Sequence, residues 1–310
     1  MRRIYRDTIG FEDKYKFGTE LEFTNINIGY LYKIMKDDFD VKFCLQHKMK
    51  EFDFTKNWCL DMDPTVTNII ETKDGNRYMG GELSSRIFID DESTWKEIKS
   101  ICNFLRENEC MIDNNCSNHI HVDMNNFYDN RLFYEVLSKL IAVYENDLRL
   151  FYMGDKYLKR NKIDTYAIPM KRDLLRIVND IDFRNDPDYL YKLFYSKNNN
   201  SLLYNIDKGI YISDTDKEME VRYPNGSLSE VTIQNNINFT LKLIDAIISD
   251  KFDKDKLTYL VKCYRNAIFN YEFFIKYNYS GFEQIVDIIS SDSLDKENFM
   301  CQYEKVLSTK

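Results

Sequence analysis

Glycine and proline are scarce, with 10 and 4 copies in 310 residues. That excludes collagen-like, low-complexity and linker-rich architectures. Histidine is scarcer still, with three copies. Seven cysteines stand at Cys44, Cys59, Cys102, Cys110, Cys116, Cys263 and Cys301, none in a C-x-x-C pair. An odd count at irregular spacing argues against a disulfide framework or a zinc knuckle. Buried thiols in a reducing, cytoplasmic compartment are the expectation. No apolar run approaches the ~18 residues of a membrane helix; the richest, 241–248, is broken by Lys242 and Asp245. The opening residues hold no apolar core of the kind a secretory signal needs. Positive charge is also short: 43 Lys and Arg against 51 Asp and Glu leave a net −8. That excludes a broad basic nucleic-acid surface and leaves only a local basic groove open.

What is present is core-forming material, 44% hydrophobic and 30% charged residues. At ~100–200 residues per domain the length fits one large domain, or one with a small appendage. Residues 15–23 alternate apolar and polar with period two, as a strand does. Residues 58–71 hold two short β-rich runs around Asp61-Met62-Asp63-Pro64. Asp74-Gly75-Asn76 reads as a hairpin turn, with a strand over 78–84 after it. Residues 93–108 read as a helix capped by Ser93 or Thr94. Residues 118–124 alternate again, and 128–151 carry a long amphipathic helix. Residues 201–212 and 217–223 read as the arms of a hairpin. From Leu228 onward the pattern is helical, in segments 228–249, 255–277, 281–290 and 295–308. The expected class is α+β: an antiparallel sheet domain over 1–240 with helices on one face, then a helical region over 241–310 packed on it.

Three i, i+2 pairs stand out: Glu20 with Glu22, His119 with His121, and Glu220 with Arg222. On a strand, i and i+2 point to the same face. Leu21, Phe23, Ile120, Val122, Met219, Val221 and Tyr223 then line the opposite, apolar face. A wet polar face is the bland reading of any one pair. Two of three histidines at H-x-H on a strand point instead to a metal site. Glu82, in Gly80-Gly81-Glu82-Leu83-Ser84, adds a carboxylate where small neighbours allow close backbone approach. Four glutamates on one concave face must raise their pKa values or hold cations between them. Oxygen-rich sites with few histidines favour Mg²⁺ or Mn²⁺ over Zn²⁺. Arg222 beside them suits a phosphate, because its planar fork binds in two-point fashion.

In order, these motifs resemble those of the amidoligase family, carboxylate–amine ligases related to glutamine synthetase and glutamate–cysteine ligase. Gly18 to Glu22 matches G-x-E-x-E. Trp58 with Asp63-Pro64-Thr65 is similar to the family's Trp and D-x-S turn. Gly80-Gly81-Glu82-Leu83-Ser84, Asn115 to Asp123, and Tyr204-Asn205 with Glu220 to Ser227 follow in sequence. The resemblance covers roughly 15–240. Asn118 stands where the family has Gly, Thr65 and Ser227 replace Ser and Thr, and Val221 replaces an aromatic. The helices after 250 have no counterpart.

The resemblance implies a glutamine synthetase-like fold and an ATP-dependent amide- or peptide-forming reaction through an acyl phosphate. It implies two or three Mg²⁺ or Mn²⁺ ions held by Glu20, Glu22, Glu82, His119 or His121, and Glu220. Arg222 then serves the phosphoryl group and Asp63 the amine. Lys171 and Arg172, opening a helix after Ile168-Pro169-Met170, are candidates for the nucleotide phosphates, against a solvated helix start. The partners implied are a carboxylate and an amine (amino acid, peptide or protein), with no membrane. A metal-dependent phosphoesterase or nuclease, and a non-catalytic binding protein on the same fold, are the alternatives. His47 reads as a surface residue, and Asp123 as a partner of a histidine or an exposed strand end.

Overall fold

The computed structural model describes residues 3–39, 41–44, 55–73, 75–161, 167–177, 194, 208–213, 215–266 and 279–310. His47, the turn residue Asp74 and the segment 201–207 lie outside them.

Period-two alternation builds β1 (Phe17–Asn27), whose odd-numbered residues from Phe17 to Phe23 are buried. The other strands are β2 (Val41–Cys44), β3 (Trp58–Asp61), β4 (Asn68–Thr72), β5 (Gly75–Ser84), β6 (Asn118–Asp123), β7 (Ile210–Ser213) and β8 (Glu218–Val221). They form one sheet in the order β2-β3-β5-β1-β6-β8-β7, with β4 paired to β5. Every pairing is antiparallel except β2 with β3, which is parallel. The class is therefore α+β on a mostly antiparallel sheet.

The helices are α1 (Ile28–Met35), α2 (Glu92–Glu107), α3 (Arg131–Phe151), α4 (Lys171–Ile177), α5 (Glu230–Ile248), α6 (Lys254–Asn266), α7 (Tyr279–Ile289) and α8 (Ser293–Ser308). Asn27 ends β1 and caps α1, its side chain accepting from the Tyr30 amide. The cap of α2 is Asp91, not Ser93 or Thr94: its carboxylate accepts from the Thr94 amide at 2.6 Å, and the Ser93 hydroxyl donates to it. Asn130 caps α3 after a turn over 124–128, so that helix starts later than its pattern alone implies. None of these helices is long and apolar enough to cross a membrane.

Leu21, Phe23, Ile120, Val122, Met219 and Val221 are all buried on the face covered by helices. Helix α3 is the centre of that layer, packed by α4 to α8. Helix α5 runs unbroken through residue 240. Phe151 of α3, Phe239 of α5, Phe282 of α7, and Phe299 and Tyr303 of α8 form one aromatic cluster. Phe282 stacks on Tyr303 at 4.1 Å between centroids and on Phe239 at 5.7 Å. All five side chains are fully buried. The N-terminal segment straps this layer down. Ile4 exchanges two hydrogen bonds with the Asn298 side chain, and Arg6 does the same with Gln234.

Candidate functional site

Strand register assembles the other face. Glu22 lies opposite Glu82, Asp61 opposite Glu82, Glu20 opposite His119, and Glu220 opposite His121. Directly opposed residues share a face. A polar stripe therefore crosses β3, β5, β1, β6 and β8. Close packing at Gly80 and Gly81 permits it. Gly80 has φ +83°, and a Cβ there would lie 2.7 Å from the Phe23 carbonyl oxygen. One on Gly81 would lie 2.5 Å from the Asp61 carbonyl oxygen. Asp63 follows β3 in a tight turn, its carboxylate accepting from the Thr65 amide at 2.6 Å.

Two triads of ligand atoms result. Glu20, His119 and Glu220 form one, and Glu22, Asp63 and Glu82 the other; within each, the atoms lie within 4.8 Å of one another. His119 Nδ1 is 2.6 Å from Glu20 Oε2 and 3.0 Å from Glu220 Oε1. Its Nε2 is 3.0 Å from the Ser117 hydroxyl, which donates to Glu22 Oε1. Ser117 thus links the two triads, and its amide also donates to Glu22 at 2.6 Å. His121 takes a different place. Its Nδ1 pairs with Glu218, and its Nε2 lies 3.1 Å from Glu20 Oε1. Of the two histidines, His119 is the one inside a ligand triad.

The electrostatics divide the carboxylates. Burial pushes Glu82 well above the ordinary carboxylate range, and Glu20, Glu22 and Asp63 add to the push. Burial likewise raises Glu22, against the pull of His119 and Ser117. On Glu20 burial is outweighed by the two imidazoles, which hold it well below that range. Burial would lower His119, but its bonds to Glu20 and Glu220 raise it to about 10. Metal-free, the first triad holds its own cation, a protonated imidazole. Among the described residues the second has no cation inside it, and an all-oxygen set of crowded, partly buried carboxylates suits Mg²⁺ or Mn²⁺. The first triad, two oxygens and one nitrogen, suits a divalent ion once His119 is neutral.

Arg222 pairs with Glu220: a terminal nitrogen donates to Oε2 at 2.8 Å, and Nε lies 2.8 Å from Oε1 as an ion pair. Lys171 lies elsewhere, against the phosphate-binding expectation. Its amide donates to the fully buried Glu145 of α3, and its ammonium to the Val143 carbonyl at 2.8 Å, facing the Tyr264 ring. That places it in the helical layer on the covered side of the sheet. Burial lowers its pKa to about 8. Arg172 sits on the same helix, its side chain outside the described residues.

Asp123 accepts from the Asn125 amide and side chain, not from a histidine, which makes it a strand-end turn. Asp63, expected to serve the amine, stands in the second triad. Sequence reasoning gave Ser117 no role of its own and passed over Arg160, which donates to the carbonyls of Arg222 and Pro224 at 3.0 Å each. No curated protein matches the chain. A family model described as "Putative amidoligase enzyme" matches residues 13–244, which contain both triads, Arg222 and the whole sheet. Matched over well more than half its length on a site of this composition, the chain belongs to the amidoligase family.

Proposed function

We propose that this protein is an ATP-dependent ligase joining a carboxylate to an amine, with Mg²⁺ or Mn²⁺ at the two triads. The observation that carries the reading is the pair of triads on one sheet face, linked by Ser117 and flanked by Arg222. A carboxylate acylates poorly because oxide would have to leave. Its oxygen attacks the γ-phosphorus of ATP, and ADP departs. The amine then attacks the acyl carbon, phosphate leaves, and the amine gives up one proton. Divalent ions, when bound, neutralise charge on the phosphates.

The chain's own groups divide the remaining work. Glu22, Asp63 and Glu82 offer oxygens in a crowded, partly buried setting. Glu20 and Glu220 fix the ring of His119, and Ser117 fixes Glu22. On this reading Arg222, paired with Glu220, would turn its planar guanidinium to the phosphoryl oxygens. ADP release with Mg²⁺, screened over pools of carboxylates and amines with mass spectrometry of products, tests the reading. Cleavage of nucleic acid or phosphoesters without ATP use would favour the phosphoesterase alternative.

A second consequence concerns protons. His119, held protonated by its two glutamates, must lose that proton to offer a lone pair. Mn²⁺ binding at pH 7 is therefore expected to release about one proton per protein at the first triad. Affinity should rise with pH up to the pKa of His119. Titration calorimetry in buffers of different ionisation enthalpy reads the count; a value of zero would remove His119 from the ligand set.

A further inference from the structure

The segment after α3 wraps the turn that follows β8. The Asn161 amide donates to the Asn114 carbonyl, and its side chain to Asn115. In return the Asn225 amide donates to the Tyr152 carbonyl, and its side chain to the Leu158 carbonyl. In the middle of this wrap sits Arg160, 4% exposed. Its two terminal nitrogens donate, at 3.0 Å each, to the carbonyls of Pro224 and Arg222, which bracket Tyr223. Among the described residues no carboxylate lies within ion-pair distance of it.

That choice of residue is costly. A buried guanidinium without a paired carboxylate loses hydration that main-chain carbonyls replace only in part. Burial weakens its hold on its proton, to a pKa of about 10, and the largest opposing influence is Glu22. What the fork achieves is geometric. The Arg222 amide is already fixed to the Gly209 carbonyl at 2.9 Å. Arg160 fixes the other end of the same residue, so the backbone that aims the Arg222 side chain is held at both ends.

We propose that Arg160 is a positioning residue for Arg222: its fork pins the carbonyls of Arg222 and Pro224 and so holds the Arg222 guanidinium in line for the transferred phosphoryl group. The phosphoryl half rests on the ligase reading; the pinning does not.

Arg160→Lys, Arg160→Met, Arg222→Lys and the Arg160→Lys/Arg222→Lys double variant form the test. The probes are a non-hydrolysable ATP analogue with Mg²⁺, ADP with Mg²⁺, and Mn²⁺ alone, by calorimetry. Amide hydrogen exchange over 219–227 reads the pinning without nucleotide. Arg160→Lys is expected to weaken the triphosphate analogue about tenfold, a typical loss for an outer positioning partner. ADP affinity should move less than about twofold, since ADP lacks the γ-phosphate that Arg222 would meet, and any shift in Mn²⁺ affinity, passed through Glu220 beside Arg222, should be the same in Arg160→Lys and Arg222→Lys. Lys keeps the charge, so its failure to rescue marks the fork as the active feature. Arg222→Lys should cost the same, and the double variant no more, because the two act through one group.

Exchange over 219–227 should quicken in both Arg160 variants while the rest of the sheet keeps its protection. Unchanged exchange there, or additive losses in the double variant, would overturn the proposal. If the wild type binds neither nucleotide, the ligase reading fails, and quickened exchange at 219–227 still supports the pinning. Should Arg160→Met not fold, Arg160→Lys reads both quantities alone.

Discussion

Glu82→Gln is expected to stabilise the metal-free protein while removing most of its divalent-cation binding. Glu82 lies opposite both Glu22 and Asp61 in register and shares a triad with Glu22 and Asp63. Burial and these neighbours push its carboxyl well above the ordinary range. The amide keeps the shape and an oxygen to accept from the Ser84 hydroxyl, now 3.0 Å from Glu82 Oε1. It removes the ionisable group that crowds the site. Replacing a carboxyl that resists ionising in the folded state by a neutral isostere should gain about 1–2 kcal/mol near neutral pH, or a few degrees in Tm. The same change takes an anionic oxygen from the triad and should weaken Mn²⁺ by about 10–100-fold or more.

The pH dependence has a definite sign. A carboxyl raised in the folded state keeps a proton that the unfolded chain has already lost. Metal-free stability of the wild type should therefore fall as pH rises from the ordinary carboxylate range, near 4.5, through the raised value. Glu82→Gln should flatten that fall, leaving the smaller contribution of Glu22, which is also raised. Thermal melts in chelator from pH 5 to 8, beside Mn²⁺ calorimetry, read both effects. A variant with the wild-type pH slope and undiminished Mn²⁺ binding would contradict the assignment of Glu82.

Truncation after Asp250 is expected to abolish folding, although the family match ends at residue 244. Phe151 and Phe239 lie inside the retained part, but Phe282 and Phe299, which pack on both, and Tyr303, which stacks on Phe282, are beyond the cut. Loss of a buried Phe typically costs about 3–5 kcal/mol. Three lost aromatic partners match or exceed a whole domain's ~5–15 kcal/mol. The N-terminal strap also loses Asn298, Asp295 and Gln302. Phe282→Ala is the milder probe, expected to lower stability by about 3–5 kcal/mol with Mn²⁺ affinity unchanged. A soluble 1–250 fragment that melts cooperatively and binds Mn²⁺ like the full chain would show the last helices to be a separate module.

Much of the site is legible in the sequence because strand geometry is local. Period two fixes which side of β1, β6 and β8 each of Glu20, Glu22, His119, His121 and Glu220 occupies. No long-range information is needed for that. Which residue stands opposite which is a matter of register, and here two glycines and a bulge in β1 between Phe23 and Asn27 set it. Hence the triads, and the entry of Asp63 into one of them, emerge only in three dimensions.

Arg160 was illegible for a related reason. It acts through main-chain carbonyls more than sixty positions away, and a main-chain contact leaves no side-chain pattern. Lys171 misled in the opposite direction. A basic residue opening a helix after a proline resembles a phosphate site, but Glu145 accepts the amides of Met170 and Lys171 and buries that helix start. The parallel pairing of β2 with β3 likewise is a matter of register, which no local residue pattern marks.

The most direct test of the account uses carboxylate substrates labelled with ¹⁸O, supplied with ATP, Mg²⁺ and a pool of amines. An acyl-phosphate route moves one carboxylate oxygen into the released phosphate while an amide forms. ADP, phosphate carrying one ¹⁸O and an amide are the expected products, all lost in Glu82→Gln. Phosphate released without label, or phosphoester cleavage that proceeds without ATP, would contradict that route.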